Sequence, residues 1–442
     1  MIGGIFTTVG VGTRVAGPGV LLSFALSGLA CVFVALCYAE LAGMVPVAGS
    51  AYTYAYATMG ELVAWVIGWD LILEYGISVA PVAASWSGYM QSALSNVGLV
   101  LPHWATGAHL VFGANGIDVA HSQIDLLAMF AVLALSAVLI IGIRESCTAN
   151  GIMVVVQIAS MIAFVAALIG AVHPGAYHPF LPMGMHGAVS GAALVFFAYI
   201  GFDTVTVACE EAKNPIRDVP FSVVATLIIG AVLFMAVSAV TVGIVPFRNI
   251  SDNAGMLDAV RLAGNNPVLV IAVTVGAIAG TTTVMLTTML GQVRIFYVMA
   301  RDRMLPAAVA RINPKTRTPV RTTAITGCLI AILAGAIPLD VLLSLVNIGT
   351  LSAFAIVCGG VLILRYTDPG AARPFRCPAA PLVAVLGVGM CLYLMVDGLS
   401  GATWVRFVLW FAVGLAVYAA YGFRHSLLRA RDEPLELREQ AS

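Results

Sequence analysis

The chain has 442 residues, of which 61% are hydrophobic and only 10% are charged, and its formal net charge at pH 7 is zero. Soluble domains are about 45–50% apolar and about 25% charged, so this composition excludes a water-soluble fold. A balanced charge gives no indication of nucleic-acid binding. We therefore expect an all-α polytopic membrane protein, because helices satisfy their own backbone hydrogen bonds in lipid and open strands do not.

Apolar segments recur along the whole chain and predict eleven membrane-spanning helices. Each segment has about 17–30 residues, enough for a tilted helix to cross roughly 30 Å of hydrocarbon. They lie near residues 18–44, 61–94, 123–142, 150–172, 187–212, 219–246, 268–298, 320–337, 340–364, 380–399 and 403–423. A shorter apolar piece at 1–13 cannot span alone, so we expect the outer half of a first helix that is truncated at its N-terminal half.

The distribution of Lys and Arg predicts the orientation of these helices in the membrane. Of the 21 basic residues, 16 fall in one set of segments, near 143–149, 213–218, 301–321, 365–376 and from 424 onward. Cytoplasmic loops carry the excess of basic residues in membrane proteins. We therefore expect these segments, including the C-terminal tail, to face the cytoplasm.

Two glycine-interrupted motifs predict the site of function. They are IGGIF at 2–6 and FFAYIGFD at 196–203, and five predicted spans separate them. Secondary transporters bind their substrates where two spans are broken near the midplane of the membrane. The alternative is that these glycines only allow close helix packing.

The spacing of the motifs divides the chain into two matching halves. The first half is 1–172 and the second is 187–364, followed by two more helices at 380–423 and the tail at 424–442. Free amides at a broken helix attract an anionic group, and free carbonyls attract a cationic group. One break of each kind suits the α-carboxylate and α-ammonium groups of an amino acid.

Among the acidic residues within the predicted spans, three are candidates for a function, because a carboxyl group in the membrane is costly and needs a reason. Asp70 and Glu74 are one helical turn apart, and Asp203 follows the second glycine motif. Each is a candidate gate or proton-titrating group, and each has the alternative role of locking helix packing through polar neighbours.

Hydroxyl groups are concentrated in one predicted span, at Thr281, Thr282 and Thr283 and again at Thr287 and Thr288. They are candidates for lining a pocket or holding Na⁺, or they bond only to the carbonyl four residues before. The sequence contains no metal-ligand, P-loop, Rossmann or hydrolase motif, so we expect no metal, no cofactor and no enzymatic activity.

Five longer stretches together resemble bacterial members of the cationic amino acid transporter family, in the amino acid–polyamine–organocation superfamily. They read LCYAELAGMVPVAGSAYTYAYATMGELVAWVIGWDLILEY, FFAYIGFDTVTVACEEAKNPIRDVP, GQVRIFYVMARDRMLP, NPKTRTPVRTTA and LVNIGTLSAFAIV. The resemblance implies the leucine-transporter-type fold, in which helices 1–5 and 6–10 are inverted repeats and two helices follow. It also implies a secondary active permease of the bacterial cytoplasmic membrane that moves amino acids by alternating access, commonly with protons. Relatives take neutral as well as cationic substrates.

The resemblance also implies roles for the two breaks. Gly3 and Gly4 would meet the substrate carboxylate with their backbone amides. Phe197, Ala198 and Ile200 would meet the ammonium group with their backbone carbonyls.

Further positions carry side chains that the resemblance makes relevant to selectivity and coupling. Glu74 matches the acidic residue of the family's third helix, and Thr281 matches a position, often Met, in the side-chain subsite. Gln157 stands where many relatives have a Lys implicated in proton coupling. Three outcomes stay open: weak or absent coupling, protonation of Glu74, or Na⁺ bound near Thr282 and Thr283. A truncated remnant or an amino-acid sensor on the same fold is the alternative function.

Overall fold

The computed structural model describes residues 1–44, 52, 60–108, 112–113, 116–117, 122–141, 147–203, 214–311, 313 and 318–426. The segment 204–213, most of the predicted cytoplasmic loop at 143–149, and the tail from 427 lie outside the described residues. Within the described residues the chain is helical apart from connecting turns and a two-stranded antiparallel hairpin, β1 (Phe112–Gly113) and β2 (Gly116–Ile117).

Twelve of the thirteen helices in the described residues correspond in order to the apolar piece at 1–13 and the eleven predicted spans. They are α1 (Gly4–Ala16), α2 (Val20–Met44), α3 (Glu61–Asn96), α4 (Leu126–Ile141), α5 (Cys147–Leu168), α6 (Gly184–Val195), α7 (Pro215–Ile244), α8 (Gly255–Leu262), α9 (Pro267–Arg301), α10 (Val320–Ala336), α11 (Leu339–Thr367), α12 (Ala380–Gly398) and α13 (Gly401–His425). Eight helical segments are long and apolar enough to cross a membrane, the first of them containing both α1 and α2, and three shorter apolar helices accompany them. The expectation of a polytopic all-α membrane protein is confirmed. The short helix α8 was not predicted.

The chain reverses direction between α1 and α2 at the tripeptide 17–19, Gly-Pro-Gly. Gly17 has φ +60°, a conformation in which a side chain would be strained. Pro18 lacks the amide hydrogen that would continue the helix. This turn separates α1 from α2 although the two helices are adjacent in sequence.

Helix α2 runs parallel to α6 and is bonded directly to its backbone. The Ser23 hydroxyl donates to the Ala188 carbonyl at 2.7 Å, and the Ser27 hydroxyl donates to the Ala192 carbonyl at 2.7 Å. Both residue numbers rise together, which fixes the relative direction of the two helices. These bonds hold α6, and hence the break that follows it, against the bundle.

Two helices depart from regular α geometry near the middle of the membrane. Helix α6 ends at Val195, a 3₁₀ turn covers Phe196–Tyr199, and Gly201 takes φ +106°. In α3 the segment Ile72–Ile77 is a π-turn, in which the Ser78 amide bonds to the carbonyl five residues before it at 3.2 Å. Turns of this kind occur mostly at functional positions in helices.

A buried ion-pair network lies at the predicted cytoplasmic end of α2. The Glu40 carboxylate accepts hydrogen bonds from Arg365 at 2.6 and 3.0 Å, from Arg373 at 3.2 Å and from the Cys377 amide at 2.8 Å. The network joins α2 to α11 and to the loop between α11 and α12. It satisfies a carboxylate that is only 1% exposed.

Helix α3 is held on its other side by α13 through two tryptophans. The Trp65 indole donates to the Gly414 carbonyl at 3.1 Å, and the Trp69 indole donates to the Trp410 carbonyl at 2.9 Å. The rings of Trp65 and Trp69 stack with centroids 5.8 Å apart. These contacts fix the rotation of α3 just before its π-turn.

Candidate functional site

A cavity of about 420 Å³ lies between the start of α1, the break after α6, and the middle of the bundle. Its walls come from α3, α5, α7 and α9 as well as from the two broken regions. The lining residues are Met1, Ile2, Gly3, Gly4, Ser78, Asn150, Val154, Gln157, Phe197, Ile200, Gly201, Thr226, Thr283, Val284, Thr287 and Thr288. Both predicted motifs therefore contribute to one cavity, although five predicted spans separate them in sequence.

The glycines of the first motif allow close backbone contact on two sides. A Cβ atom on Gly4 would lie 2.7 Å from the Ala198 Cα, and one on Gly3 would lie 2.8 Å from the Gly280 carbonyl oxygen and 2.9 Å from Val284. Real Cβ atoms do not approach other atoms so closely. The start of α1 is therefore packed, backbone to backbone, against the break after α6 and the middle of α9.

The backbone groups of the two breaks are only partly free. The first turn of α1 has no side-chain cap, which leaves amides of the helix start for a ligand. The Gly4 amide, however, donates to the Met1 carbonyl at 2.8 Å, and the Phe197 carbonyl accepts the Ile200 amide at 3.1 Å. Phe197 and Ile200 line the cavity, whereas Ala198 does not and packs against Gly4 instead.

Gln157 lines the cavity from α5, beside Gly280 of α9. A Cβ atom on Gly280 would lie 2.4 Å from the Gln157 Oε1. This oxygen is buried and has no hydrogen-bond partner among the described residues. Gln157 therefore occupies the wall between α5 and α9, close to the residues that contact Gly3.

Thr281 does not line the cavity. Its side chain is fully buried, and its hydroxyl donates to the Ala277 carbonyl at 2.6 Å within the same helix. The face of α9 that meets the cavity is formed instead by Thr283, Val284, Thr287 and Thr288. Helical periodicity predicts that these four residues share one face of α9. Only the packing of Gly280 against Gln157 shows that this face is directed toward the cavity.

The hydroxyls on that face of α9 differ in their bonding. Thr287 donates to the Thr283 carbonyl at 2.9 Å, and Thr288 donates to the Val284 carbonyl at 2.7 Å. The Thr283 hydroxyl has no partner among the described residues. Of the threonines on this face, Thr283 therefore has a hydrogen-bonding group that its own helix does not use.

The three acidic residues form a group behind the cavity and do not line it. The Tyr75 hydroxyl donates to the Asp203 carboxyl at 2.7 Å, and the Ser352 hydroxyl donates to the Asp70 carboxyl at 2.5 Å. Glu74 lies in the π-turn, one turn after Asp70 on the same helix and near Asp203. The structure thus brings together Asp70, Glu74 and Asp203, which the sequence places on two different helices.

Asn347 supports the break from α11. Its amide donates to the Ala193 carbonyl at 2.7 Å and to the Leu194 carbonyl at 3.1 Å. These carbonyls belong to the last turn of α6, where intrahelical partners run out. Asn347 thus stabilises the end of α6.

The cavity is closed on the side of the predicted outer surface. The Phe6 and Tyr89 rings meet edge to face with centroids 5.8 Å apart, and the Ser85 hydroxyl donates to the Phe6 carbonyl at 3.1 Å. A Cβ atom on Gly10 would lie 2.1 Å from the Ser251 carbonyl oxygen, so the loop before α8 is pressed against α1. Helices α1 and α3 and this loop together cover the cavity.

A second cleft, of about 370 Å³, lies outside this cover, between the end of α3 and the α7–α8 loop. It carries charged side chains, but these are already engaged. Arg261 donates to the Ser92 hydroxyl at 2.5 Å, and Asp258 accepts the Ser251 amide at 2.7 Å. The inner cavity, with its broken helices and unpaired polar atoms, is the better candidate for a substrate site.

Comparison with known proteins gives the family. The family model described as amino acid permease matches residues 1–419. The branched-chain amino acid permease BcaP of Bacillus subtilis (strain 168) is 43% identical over 96% of this chain and 90% of its own length. The methylthioribose transporter of the same organism is 42% identical over 96% of this chain and 90% of its own length.

A plant relative supports the same assignment. The vacuolar cationic amino acid transporter 4 of Arabidopsis thaliana is 36% identical over 83% of this chain and 62% of its own length. Permeases and transporters move a solute without changing it chemically, so the chain is a membrane transport protein and not an enzyme. The chain belongs to the amino acid permease family, within the amino acid–polyamine–organocation superfamily that its motifs predicted.

Proposed function

We propose that the chain is a secondary active permease that moves amino acids across a bacterial cytoplasmic membrane by alternating access. The observation that carries the proposal is the meeting of the two glycine motifs, at Gly4 and Ala198, in the wall of one cavity. The name of the family and the bacterial relatives support an amino acid as the solute.

The constant part of an amino acid would be bound by backbone groups. Gly3 and Gly4 expose the start of α1 because they have no side chains, and the 3₁₀ turn at 196–199 exposes carbonyls at the break after α6. A helix start favours an anionic group, and carbonyls favour a cationic one. The geometry supports the α-carboxylate at the first motif and the α-ammonium group at the second, once the Gly4 amide releases the Met1 carbonyl.

The arrangement supports an inward-facing state. Asn150, in the first turn of α5, lines the cavity next to the predicted cytoplasmic loop, whereas Phe6 and Tyr89 cover the opposite side. An outward-facing state would require that α1 separate from α3 and from the loop at 251–253. The positive-inside distribution of Arg and Lys supports this orientation.

Transport is proposed to depend little on a proton gradient. Gln157 lines the cavity at the position of the family's coupling Lys, and an amide side chain does not titrate. Glu74 and Asp203 are separated from the cavity by the residues that line it. Exchange or facilitated movement of the substrate is the mode that this lining favours.

Uptake of radiolabelled amino acids into proteoliposomes containing the full chain tests the proposal. We expect uptake of at least one amino acid by the wild-type protein and its loss in Gly4→Val, because the valine side chain would collide with Ala198. Gly151→Val is the matched control, since Gly151 is an exposed helical glycine with no atom within 4 Å of a Cβ at that position. Normal uptake by Gly4→Val would show that the first motif is not part of the site.

A further inference from the structure

We propose that the cavity selects amino acids with an uncharged, polar side chain, one that bears a hydroxyl or an amide, and that Ser78, Gln157 and Thr283 determine this specificity. The inference rests on the proposed function as an amino acid permease and names its substrate class. It also replaces Thr281 with Thr283 as the selectivity residue of α9.

Three of the polar residues that line the cavity are almost completely buried and have an unused hydrogen-bonding atom. Ser78, Gln157 and Thr283 are 2%, 3% and 6% exposed. Their Oγ, Oε1 and Oγ1 atoms have no partner among the described residues. Buried polar atoms are almost always hydrogen-bonded in native proteins, so unpaired ones on a cavity wall indicate the place of a ligand group.

Each of the three residues lies near the centre of its own helix. Ser78 lies at the centre of α3, which spans 36 residues, and Thr283 lies at the centre of α9, which spans 35. Gln157 lies at the centre of α5, which spans 22 residues. The unused atoms therefore come from three different helices that line the same cavity as the two glycine motifs.

The unused hydroxyls are exceptions on helices where such groups are normally satisfied. A Ser or Thr hydroxyl in a helix commonly donates to the carbonyl four residues before it, as Thr287 and Thr288 do. In α3 the π-turn bonds the Ser78 amide to the Leu73 carbonyl and changes the backbone position of Ser78 relative to the preceding turn. The hydroxyls of Ser78 and Thr283 thus remain available to a bound molecule.

A charged side chain on the substrate meets no charged side chain among the described residues of the wall. None of the described residues that line the cavity carries a charged side chain. The nearby carboxyl groups of Asp70 and Asp203 are bonded to Ser352 and Tyr75 on the far side of the lining. A lysine side chain would therefore bury an unpaired charge, which is strongly unfavourable.

Purely aliphatic side chains are also disfavoured, for the opposite reason. Ile2, Val154, Phe197 and Val284 would accept a leucine or valine side chain by size and polarity. Binding it would leave the polar atoms of Ser78, Gln157 and Thr283 without water and without a partner. A site that forms hydrogen bonds to a substrate rejects the analogue that lacks the bonding group.

Threonine and valine are a matched pair of ligands that tests the inference, because they differ by one hydroxyl in place of a methyl group. In proteoliposomes with the full chain, the wild-type protein should take up threonine at least about tenfold more efficiently than valine. The Thr283→Val variant should bring this ratio close to one. The separate variant Thr283→Ser keeps a hydroxyl and should keep the wild-type ratio. Thr241→Val should leave the ratio unchanged, since the buried Thr241 hydroxyl donates to the Val237 carbonyl of its own helix, away from the cavity.

The outcomes separate the inference from the proposed function. Equal or better uptake of valine by the wild-type protein, or an unchanged ratio in Thr283→Val, overturns the inference but leaves an amino acid permease. Failure of every amino acid in a complete radiolabelled panel, threonine and valine included, to be taken up overturns the proposed function. If Thr283→Val is unstable, Ser78→Ala supplies the second variant, with the same loss of the ratio expected. A variant that changes only the Na⁺ dependence of uptake would assign the unused oxygens to a cation and overturn the inference.

Discussion

Replacing Glu40 by glutamine should destabilise the protein much more than breaking an exposed ion pair. The Glu40 side chain is 2% exposed and accepts four hydrogen bonds, two of them from one Arg365 guanidinium in a bidentate arrangement. Glutamine keeps one acceptor oxygen and turns an NH₂ group toward the remaining donors. Three donor groups, those of Arg365, Arg373 and Cys377, then compete for a single oxygen.

The size of the loss in unfolding free energy follows from how exposed the residues are that lose their partner. Breaking a buried ion pair from one side costs about 3–5 kcal/mol, because the other charge stays buried without compensation. The Arg365 side chain is 25% exposed, so water replaces part of its lost bonding. Arg373 keeps bonds to backbone carbonyls, among them those of Leu364 and Asp368. We therefore expect a loss of about 3 kcal/mol, the lower end of the range.

Thermal unfolding of the purified protein in detergent measures this effect, with Asp252→Asn as the matched control. Asp252 accepts a hydrogen bond from Arg14 at 2.8 Å, but the two side chains are 36% and 53% exposed. An exposed pair contributes about 0–1 kcal/mol, so the control should unfold almost as the wild type does. A Glu40→Gln variant that unfolds at the temperature of Asp252→Asn would refute the argument that the buried network stabilises the end of α2.

Three further predictions concern pH, packing and coupling. Partial burial outweighs Arg14 and raises the pKa of Asp252, so the folded state favours the protonated carboxyl. Stability should fall as the pH rises from about 4 to the raised pKa, by no more than the roughly 0–1 kcal/mol of an exposed pair, and Asp252→Asn should remove that small slope in thermal unfolding against pH. Gly280→Ala should reduce uptake because its Cβ would displace the Gln157 amide oxygen from the cavity wall, whereas Gly389→Ala, with no atom within 4 Å, should leave uptake unchanged. An imposed pH gradient, with the membrane potential clamped, should give little concentrative uptake. Strong pH-driven uptake would contradict the weakly coupled mode, and its survival in Glu74→Gln would also contradict a role for Glu74 in coupling.

The class of protein and the sequence of helices could be predicted from the amino-acid sequence. Hydropathy is a local property, because any segment of about 20 apolar residues must hide its backbone from lipid by forming a helix. The end of α6 could be predicted for a similar reason, since Gly201 in FFAYIGFD takes a positive φ that favours glycine. Family motifs then gave the pairing of the two breaks, at 2–6 and 196–203, before any contact between them was seen.

The identity of the pocket-facing residues required the tertiary structure. Threonine occurs at 281, 282, 283, 287 and 288 along α9, and sequence alone does not say which of them faces the substrate. The rotation of α9 is set by glycines at 276 and 280, which pack against Ser160 and Gln157 of α5. With this rotation the Thr283 side chain faces the cavity, whereas Thr281 does not line it and its hydroxyl bonds to the Ala277 carbonyl of the same helix.

The positions of Ser78 and of the three acidic residues relative to the cavity could not be predicted from the sequence for a different reason. The π-turn at Ile72–Ile77 shifts every later residue of α3 relative to a regular helix, and no residue pattern announced it. As a result Ser78 lines the cavity, while Glu74, only one turn before it, lies behind the wall with Asp203. The sequence determined which segments cross the membrane because burial in lipid acts on each segment alone; the structure decided which side chains meet the substrate because helix rotation depends on contacts between residues far apart in the chain.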